Sequence, residues 1–170
     1  KLTGQDWIKV AQAAHRQGLY TNATMLYGHI ETLEERIEHL EALRQAQDET
    51  GGFLAFIPLA FHPKNTEMSS LSRTSGIDDL KNIAVARLML DNFPHIKAYW
   101  VMIGPKMAQV ALSFGADDMD GTVKEEVITH MAGADTDQAI GSDTLIRLIK
   151  EAGRTPIERG TLYDVIESHN

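Results

Sequence analysis

The sequence contains no cysteine. Without a thiol, the chain forms no disulfide, has no cysteine nucleophile, and supplies no ligand for a cysteine-bound zinc ion or an iron–sulfur cluster. Basic residues are also scarce, because 16 Lys and Arg stand against 24 Asp and Glu, a net charge of −8 with the seven His neutral. Such an acidic chain is a poor electrostatic partner for nucleic acid or an anionic membrane.

Long apolar runs are absent as well. No stretch approaches the ~20 apolar residues of a membrane-spanning helix, and the N-terminus lacks the basic-then-apolar layout of a signal peptide. The remaining composition, 43% hydrophobic and 24% charged, is typical of a globular domain. We therefore predict a cytoplasmic protein, and the start at Lys1 rather than Met suggests a piece of a longer or processed chain.

Strand-like and helix-like segments alternate along the chain at intervals of about 35 residues, which indicates β/α units on a parallel sheet. The predicted strands are 19–27, 53–61, 98–103 and 116–123, and helices precede, separate and follow them. Four units are half of an eight-unit barrel of ~250 residues. A doubly wound sheet is the competing architecture, but no Gly-x-Gly-x-x-Gly follows any strand. We predict one partial α/β domain, with a half-barrel over 1–130 and a helical cap over 131–170 that contains helices at 144–152 and 161–166.

Polar side chains cluster just after each predicted strand. In β/α barrels the loops after the strands meet at one end of the barrel and form the active site. Polar residues in these loops are therefore candidates for a functional role. The candidates are Gly28, His29, Glu31 and Thr32 after the first strand, His62, Pro63, Asn65 and Thr66 after the second, Trp100 near the third, and Asp117, Asp118, Asp120 and Thr122 at the fourth.

Most of these side chains also have an ordinary structural explanation. Glu31 and Thr32 could simply stabilise a helix N-terminus, and His29 and His62 could lie on the surface. Trp100 lies inside an apolar run, which is more typical of a core than of a stacking platform.

Two acidic features could bind a metal ion. The aspartates at 117–120 offer oxygen ligands for a hard cation, but Asp-Asp-Met-Asp-Gly is also ordinary turn chemistry, which we favour. Glu126 and His130 are four residues apart and could ligate zinc from one helix face, although such pairs more often make a surface contact.

Five long segments carry a resemblance to a known family: 22–32, 47–67, 90–100, 115–122 and 151–156. They closely resemble the C-terminal half of the aminodeoxyfutalosine synthase family, radical S-adenosylmethionine enzymes of the futalosine route to menaquinone. Sibling families are the cyclic dehypoxanthinyl futalosine synthases and the deazaflavin-forming synthases. The first sibling tends to carry Trp-Pro and Gln-Pro where this chain has Leu59-Ala60 and His62-Pro63, which favours the aminodeoxyfutalosine assignment.

The resemblance implies the C-terminal half of a radical S-adenosylmethionine barrel of the TIM type. In that family an adenosyl radical, made at a [4Fe-4S] cluster, adds to the enol ether of 3-[(1-carboxyvinyl)oxy]benzoate, and rearrangement with loss of the carboxyl group gives 6-amino-6-deoxyfutalosine. Gly28 and Glu31 align with the fifth-strand element that holds the cofactor, and Ile57 and Pro58 with the sixth-strand segment that meets its adenine. The candidate substrate contacts are His29, His62, Asn65, Thr66, Trp100 and Asp120.

The family's Cys-x-x-x-Cys-x-x-Cys motif, which holds the cluster, lies outside this chain. We therefore expect no metal site in this chain, no synthase activity from it alone, and the N-terminal half of the same enzyme as its partner. A half-barrel would also expose strand edges near 19–27 and 116–123, which predicts self-association as a two-fold dimer.

Two further hypotheses come from other classes. One is a metal-dependent barrel hydrolase that uses His29, His62 and the aspartates at 117–120. The other is a folded module without catalytic residues, whose role is assembly with an N-terminal half.

Overall fold

The computed structural model describes residues 2–121 and 140–170. Its helices and strands follow one another in the order α1 (Gly4–Arg16), β1 (Thr21–Tyr27), α2 (Leu33–Thr50), β2 (Phe53–Ala60), α3 (Gly76–Met89), β3 (His95–Ala98), α4 (Trp100–Ile103), α5 (Pro105–Ala111), β4 (Asp118–Met119), α6 (Ser142–Glu151), β5 (Ile157–Arg159) and β6 (Val165–Ser168).

The first four strands form one parallel sheet in the order β1-β2-β3-β4. Strands connected through helices in this sequential order are what the C-terminal half of a TIM-type barrel requires. The predicted α/β half-barrel is therefore confirmed. None of the described helices is both long and apolar enough to cross a membrane.

Register separates the two faces of the sheet. Ala23, Met25 and Tyr27 of β1 are buried, whereas Asn22, Thr24 and Leu26 between them are exposed. Paired residues of parallel strands share a face, so the exposed face continues onto the neighbouring strands through the pairing of Thr24 with Ile57. We call this side the inner face. It is exposed at β1 but buried at Ala55, Lys97 and Asp118. It comprises Asn22, Thr24, Leu26, Ala55, Ile57, Leu59, His95, Lys97 and Asp118.

Each of the three long helices beside the sheet begins at a reciprocal N-cap. The capping residues are Thr3, Thr32 and Ser75, whose hydroxyl oxygens each accept a hydrogen bond from a backbone N–H three residues on. Satisfying two otherwise unpaired N–H groups in this way fixes where each helix starts. Gly51 ends α2 in the left-handed conformation, with φ 61°.

Aromatic rings fill the core between the sheet and its helices. Phe53 stacks on Phe93 with ring centroids 5.4 Å apart, and Phe56 meets the same ring edge-on. At the carboxyl end of β1, the buried Tyr27 hydroxyl donates to the Asp79 carboxylate of α3 at 2.8 Å. This hydrogen bond ties α3 to the end of the strand from which the first loop leaves.

The third predicted strand, 98–103, is wrong in its position. The strand is His95–Ala98, and Trp100–Ile103 forms a short helix instead. An apolar run that is buried in either conformation does not distinguish strand from helix. Gly104, with φ 82°, separates this short helix from α5.

The predicted helix at 161–166 is also wrong, so the cap is only partly helical. β5 and β6 pair as an antiparallel hairpin, and α6 confirms the helix predicted at 144–152. Glu158 lies opposite Glu167, and the turn between the strands includes Tyr163 at φ 67°. The β-branched pair Val165 and Ile166 favours a strand over a helix.

The fourth predicted strand is shorter than expected, because only Asp118–Met119 pairs with β3. Thr122, Glu126 and His130 lie outside the described residues, as does the predicted boundary between 130 and 131.

Candidate cofactor and substrate site

Four loops leave the same edge of the sheet, one from the carboxyl end of each parallel strand. Neighbouring loops contact one another in series. The His29 ring lies 5.6 Å from the Phe61 ring, and His62 Nε2 donates to the Met102 carbonyl oxygen at 3.1 Å. The Trp100 indole N–H then donates to the carbonyl oxygen of Asp120 at 3.1 Å. The structure thus brings the predicted residues His29, His62, Trp100 and Asp120 to one mouth.

Glu31 organises the first of these loops. Its carboxylate accepts hydrogen bonds from the backbone N–H groups of Gly28 at 2.5 Å and His29 at 3.0 Å, and it also pairs with the His29 imidazole. Arg36 of α2 completes the set from 2.6 Å. Burial opposes ionisation of Glu31, but the backbone hydrogen bonds outweigh it and lower its pKa to about 2. The carboxylate therefore fixes the loop from within.

Gly28 makes the turn that this arrangement needs. Its φ is 86°, a conformation that other residues adopt only with strain. A Cβ at this position would lie 2.2 Å from Cγ2 of Thr74, which belongs to the loop after β2. The first and second loops therefore touch at a point where only glycine fits.

Thr32 stabilises a helix N-terminus, which was the structural explanation offered for it from the sequence. It is the N-cap of α2, and its hydroxyl oxygen accepts from the Glu35 N–H at 3.1 Å. Thr66 likewise serves its own loop, since its hydroxyl donates to the Pro63 carbonyl oxygen at 2.8 Å. Asn65 is exposed on the same loop and remains a candidate contact.

Ile57 and Pro58 lie where the sheet opens. β2 pairs with β3 only at Ala55 and Phe56 in the described sheet, so the ladder between these strands stops before Pro58. Proline has no N–H and fits best where ladder hydrogen bonds are not required.

The inner face beside this opening is apolar. Leu26 is 44% exposed, and Ile57 and Leu59 are half-buried next to it. These side chains form a platform on which a flat ring such as adenine could stack, so the residues present fit the adenosyl cofactor that the resemblance implies.

The segment after β4 is held by Lys97 of β3 and Trp100 of α4. Lys97 Nζ lies 2.5 Å from Asp120 Oδ1, and the fully buried Trp100 holds the backbone carbonyl of the same residue. Full burial leaves Trp100 no surface for the predicted direct contact with substrate. Sequence reasoning missed Lys97, although a lysine within an apolar strand segment is itself a signal.

Beside β4, the C-terminal hairpin closes over the inner face. Arg159 donates two hydrogen bonds to Asp118, at 3.0 and 2.7 Å, and the Tyr163 hydroxyl donates a third at 2.7 Å. The His95 ring stacks on Tyr163 with centroids 3.8 Å apart. A cleft of about 1010 Å³ lies between this hairpin, α6 and β4, and Asp120 is among its lining residues. None of the hairpin residues was predicted as part of a site.

The metal-hydrolase hypothesis requires aspartate carboxylates that are available to a metal ion. Instead, each aspartate of 117–120 already has a cationic partner, Arg87, Arg159 or Lys97. Among the residues that the structure describes, the group with metal-ligand geometry is Glu158, Glu167 and His169, on and just after the hairpin, and it includes none of the residues that the hypothesis names.

The fold and the mouth define a class, half of a parallel β/α barrel with four strand-end loops around one site. More particularly, the chain belongs to the family described as the CofH/MqnC C-terminal region, whose model matches residues 50–170. The resemblance found in the sequence is confirmed.

Curated relatives carry two activities in their names. The chain is 54% identical over 167 residues to the aminodeoxyfutalosine synthase of Thermus thermophilus. The aligned region covers 96% of this chain and 45% of that protein. It is 46% identical over 171 residues to a 5-amino-6-(D-ribitylamino)uracil–L-tyrosine 4-hydroxyphenyl transferase of Archaeoglobus fulgidus, covering 98% and 49%. Identity to the aminodeoxyfutalosine synthase of Streptomyces coelicolor is 43%, covering 97% and 46%. The chain thus spans about half the length of the relatives it matches.

Proposed function

We propose that this chain is the C-terminal part of a radical S-adenosylmethionine aminodeoxyfutalosine synthase in menaquinone biosynthesis. The enzyme would join the 5′-deoxyadenosyl radical to 3-[(1-carboxyvinyl)oxy]benzoate and form 6-amino-6-deoxyfutalosine. The observation that carries the proposal is the 54% identity to the Thermus synthase over nearly the whole chain.

The chain's share of the work is to bind and orient. When bound, the cofactor supplies a carbon-centred adenosyl radical. Gly28 and Glu31 shape the loop beside it. Ile57 offers an apolar side chain on the inner face where β2 leaves β3, and the backbone of Pro58 follows it. His29, Asn65 and Thr66 surround the remaining part of the mouth, where we place the benzoate substrate. The buried His62 supports this part through its hydrogen bond to the Met102 carbonyl oxygen.

The iron–sulfur cluster must come from elsewhere, because the chain has no cysteine. A [4Fe-4S] cluster is held by cysteine thiolates, so we propose that three cysteines of an N-terminal half supply it. The chain alone is then inactive. The hypothesis of a non-catalytic module that assembles with an N-terminal half is compatible with this proposal, because it describes the chain before it binds that half.

The decisive experiment combines the chain with the cluster-binding half of the enzyme, in one polypeptide or mixed, after anaerobic reconstitution. We expect 6-amino-6-deoxyfutalosine by mass spectrometry when S-adenosylmethionine, a reductant and the enol ether are present. Either half alone should yield none. A stable cluster and cofactor cleavage by the 170-residue chain alone would overturn the proposed division of labour.

The tyrosine transferase activity is the second candidate, because the Archaeoglobus transferase at 46% identity is closer than the Streptomyces synthase at 43%. The same preparation should therefore receive L-tyrosine and 5-amino-6-(D-ribitylamino)uracil in a parallel reaction. A coupled product there, with none from the enol ether, would replace the first proposal by the second.

A further inference from the structure

Lys97 occupies an unusual place for a lysine. It lies on β3 on the inner face of the sheet, and its side chain is only 9% exposed. Lysines are almost never buried without a partner, because desolvating an ammonium group is costly. Its partners therefore indicate why it is there.

Two carboxylates lie near the ammonium group, and their other contacts differ. Asp118 is 3.7 Å away and accepts hydrogen bonds from Arg159 and Tyr163, so it belongs to the hairpin contact. Asp120 lies 2.5 Å away. Of the described residues, Lys97 is the one that hydrogen-bonds the Asp120 carboxylate.

Trp100 fixes the backbone of the same loop. Its indole N–H is shared between the carbonyl oxygens of Asp120 at 3.1 Å and Gly121 at 3.4 Å. Lys97 therefore holds the carboxylate of Asp120, and Trp100 holds its backbone carbonyl. This residue follows β4 at the edge where barrels bind ligands, and it lines the cleft beside that strand.

The charges of this cluster restrict what Asp120 can bind. Lys97 and Arg159 balance Asp118 and Asp120, which leaves no surplus positive charge for another anion. An ionised carboxylate offers only acceptors, so its ligand must present an N–H or O–H donor. The proposed benzoate substrate has two carboxylates and an ether oxygen, and hence no donor when ionised.

We propose that Lys97 is a positioning residue that, together with Trp100, holds Asp120 as an acceptor for a donor group of the adenosyl cofactor. That donor is a ribose hydroxyl or the methionyl ammonium. The inference rests on the proposed function and moves Asp120 from the substrate's contacts to the cofactor's.

The test measures binding as well as turnover, in the enzyme that contains both halves. Equilibrium dialysis gives the Kd of S-adenosylmethionine, of 5′-deoxyadenosine and of methionine. The second ligand carries only the ribose hydroxyls and the third only the ammonium group, so their Kd values distinguish the two donors. The variants are Lys97→Met, Lys97→Arg, Asp120→Leu and the double variant Lys97→Met with Asp120→Leu. Lys106→Met is the control, an exposed lysine on α5.

We expect Lys97→Met and Asp120→Leu each to raise the Kd of the cofactor about ten- to a hundredfold, as for a lost hydrogen bond to a charged group. Lys97→Arg should recover most of the affinity. Because Lys97 acts through Asp120, adding Lys97→Met to Asp120→Leu should change the Kd less than about twofold. The fragment that loses affinity, 5′-deoxyadenosine or methionine, identifies the donor, and the KM of the benzoate should stay unchanged.

Failure of this inference differs from failure of the proposed function. A wild type that makes 6-amino-6-deoxyfutalosine, with variants that bind all three ligands normally or lose affinity for the benzoate instead, overturns the role of Lys97 alone. A wild type that makes no such product but binds the cofactor through Asp120 overturns the function alone. Binding of none of the three by the wild type overturns both.

Discussion

The Arg36 guanidinium lies 2.6 Å from the Glu31 carboxylate and joins α2 to the loop after β1. The same carboxylate accepts hydrogen bonds from the N–H groups of Gly28 and His29. A short acidic side chain thus replaces the hydrogen bonds that these N–H groups would otherwise make with water. The loop reaches the mouth with its shape already set, which lowers the entropy lost when a ligand binds.

Glu31→Gln tests this loop through its pH dependence. Because the folded-state pKa of Glu31 is about 2, below its ordinary value of 4.5, ionisation stabilises the fold above pH 4.5, and this contribution is lost as the pH falls toward 2. The shift corresponds to about 3 kcal/mol at neutral pH. Urea unfolding should show wild type more stable than the variant by about that amount at pH 7 and by roughly half at pH 3.

The control for this measurement is Glu34→Gln, an exposed carboxylate in the first turn of the same helix. It should change the free energy of unfolding by less than about 0.5 kcal/mol at either pH. A difference between wild type and Glu31→Gln that is the same at pH 7 and pH 3 would contradict the role of the charge.

Gly28→Ala should destabilise the fold for two separable reasons. The positive φ of 86° costs about 1–2 kcal/mol for a residue with a Cβ. The collision with Cγ2 of Thr74, at 2.2 Å, adds about 1–3 kcal/mol. Thermal or urea unfolding of Gly28→Ala measures the sum.

Thr74→Ser separates the two costs, because it removes the colliding methyl group and keeps the hydroxyl. The double variant Gly28→Ala with Thr74→Ser should regain the steric part and retain the backbone part. Equal stability of Gly28→Ala alone and the wild type would show that the two loops do not meet as described.

Local signals in the sequence were sufficient for the elements that have their own start and stop residues. α2 begins at the capping box of Thr32 and ends at Gly51, and both bounds were predictable from the residues themselves. The short helix after β3 was not, because Trp100 and Val101 are buried equally well in a helix or a strand. Its conformation depends on packing across the sheet.

The candidate site divides in the same way. His29, His62 and Asp120 were predictable because they come just after strands, and parallel strands bring the residues beyond their carboxyl ends to one edge of the sheet. Arg36 and Arg159 were not, since they act from a helix and from the hairpin, far from any strand end. Arg159 meets Asp118 across 41 residues, a contact that no local pattern encodes.

Arg159→Met should loosen the C-terminal hairpin from the sheet. It removes two hydrogen bonds to Asp118, whose side chain is only 8% exposed, and also the contact of the guanidinium with the Tyr163 ring at 3.9 Å. Because Lys97 and Tyr163 still partner Asp118 in this variant, the cost is that of lost hydrogen bonds to a charged group, about 1.5–3 kcal/mol. Hydrogen exchange or limited proteolysis should show residues 157–168 opening first.

Arg147→Met is the matched control, because Arg147 forms an exposed pair with Glu151 one turn along α6. Exposed pairs of this kind contribute about 0.3–0.5 kcal/mol. If both variants leave proteolysis of the hairpin unchanged, Arg159 does not anchor it.

The 170-residue chain on its own should self-associate through β1. In the described sheet β1 is a terminal strand of seven residues, whereas β4 at the other end has two and offers few groups for pairing. A long edge with exposed N–H and C=O groups is a template for another strand. The exposed Leu26 beside it adds apolar area that a dimer would bury. Light scattering should therefore show a dimer at micromolar concentrations, and adding the proposed N-terminal half should dissociate it.

Thr24 allows this edge to be blocked without damage to the sheet. His39 of α2 donates from Nε2 to the Thr24 carbonyl oxygen at 3.2 Å, so this carbonyl faces away from β2. Because the N–H and C=O of one strand residue point to the same side, the Thr24 N–H also faces away from β2. Thr24→Pro removes that donor and should yield a monomer, whereas Thr24→Val keeps it and should remain dimeric. A compact wild-type monomer across the micromolar range would contradict pairing through β1, and a dimer that persists in Thr24→Pro would place the contact elsewhere.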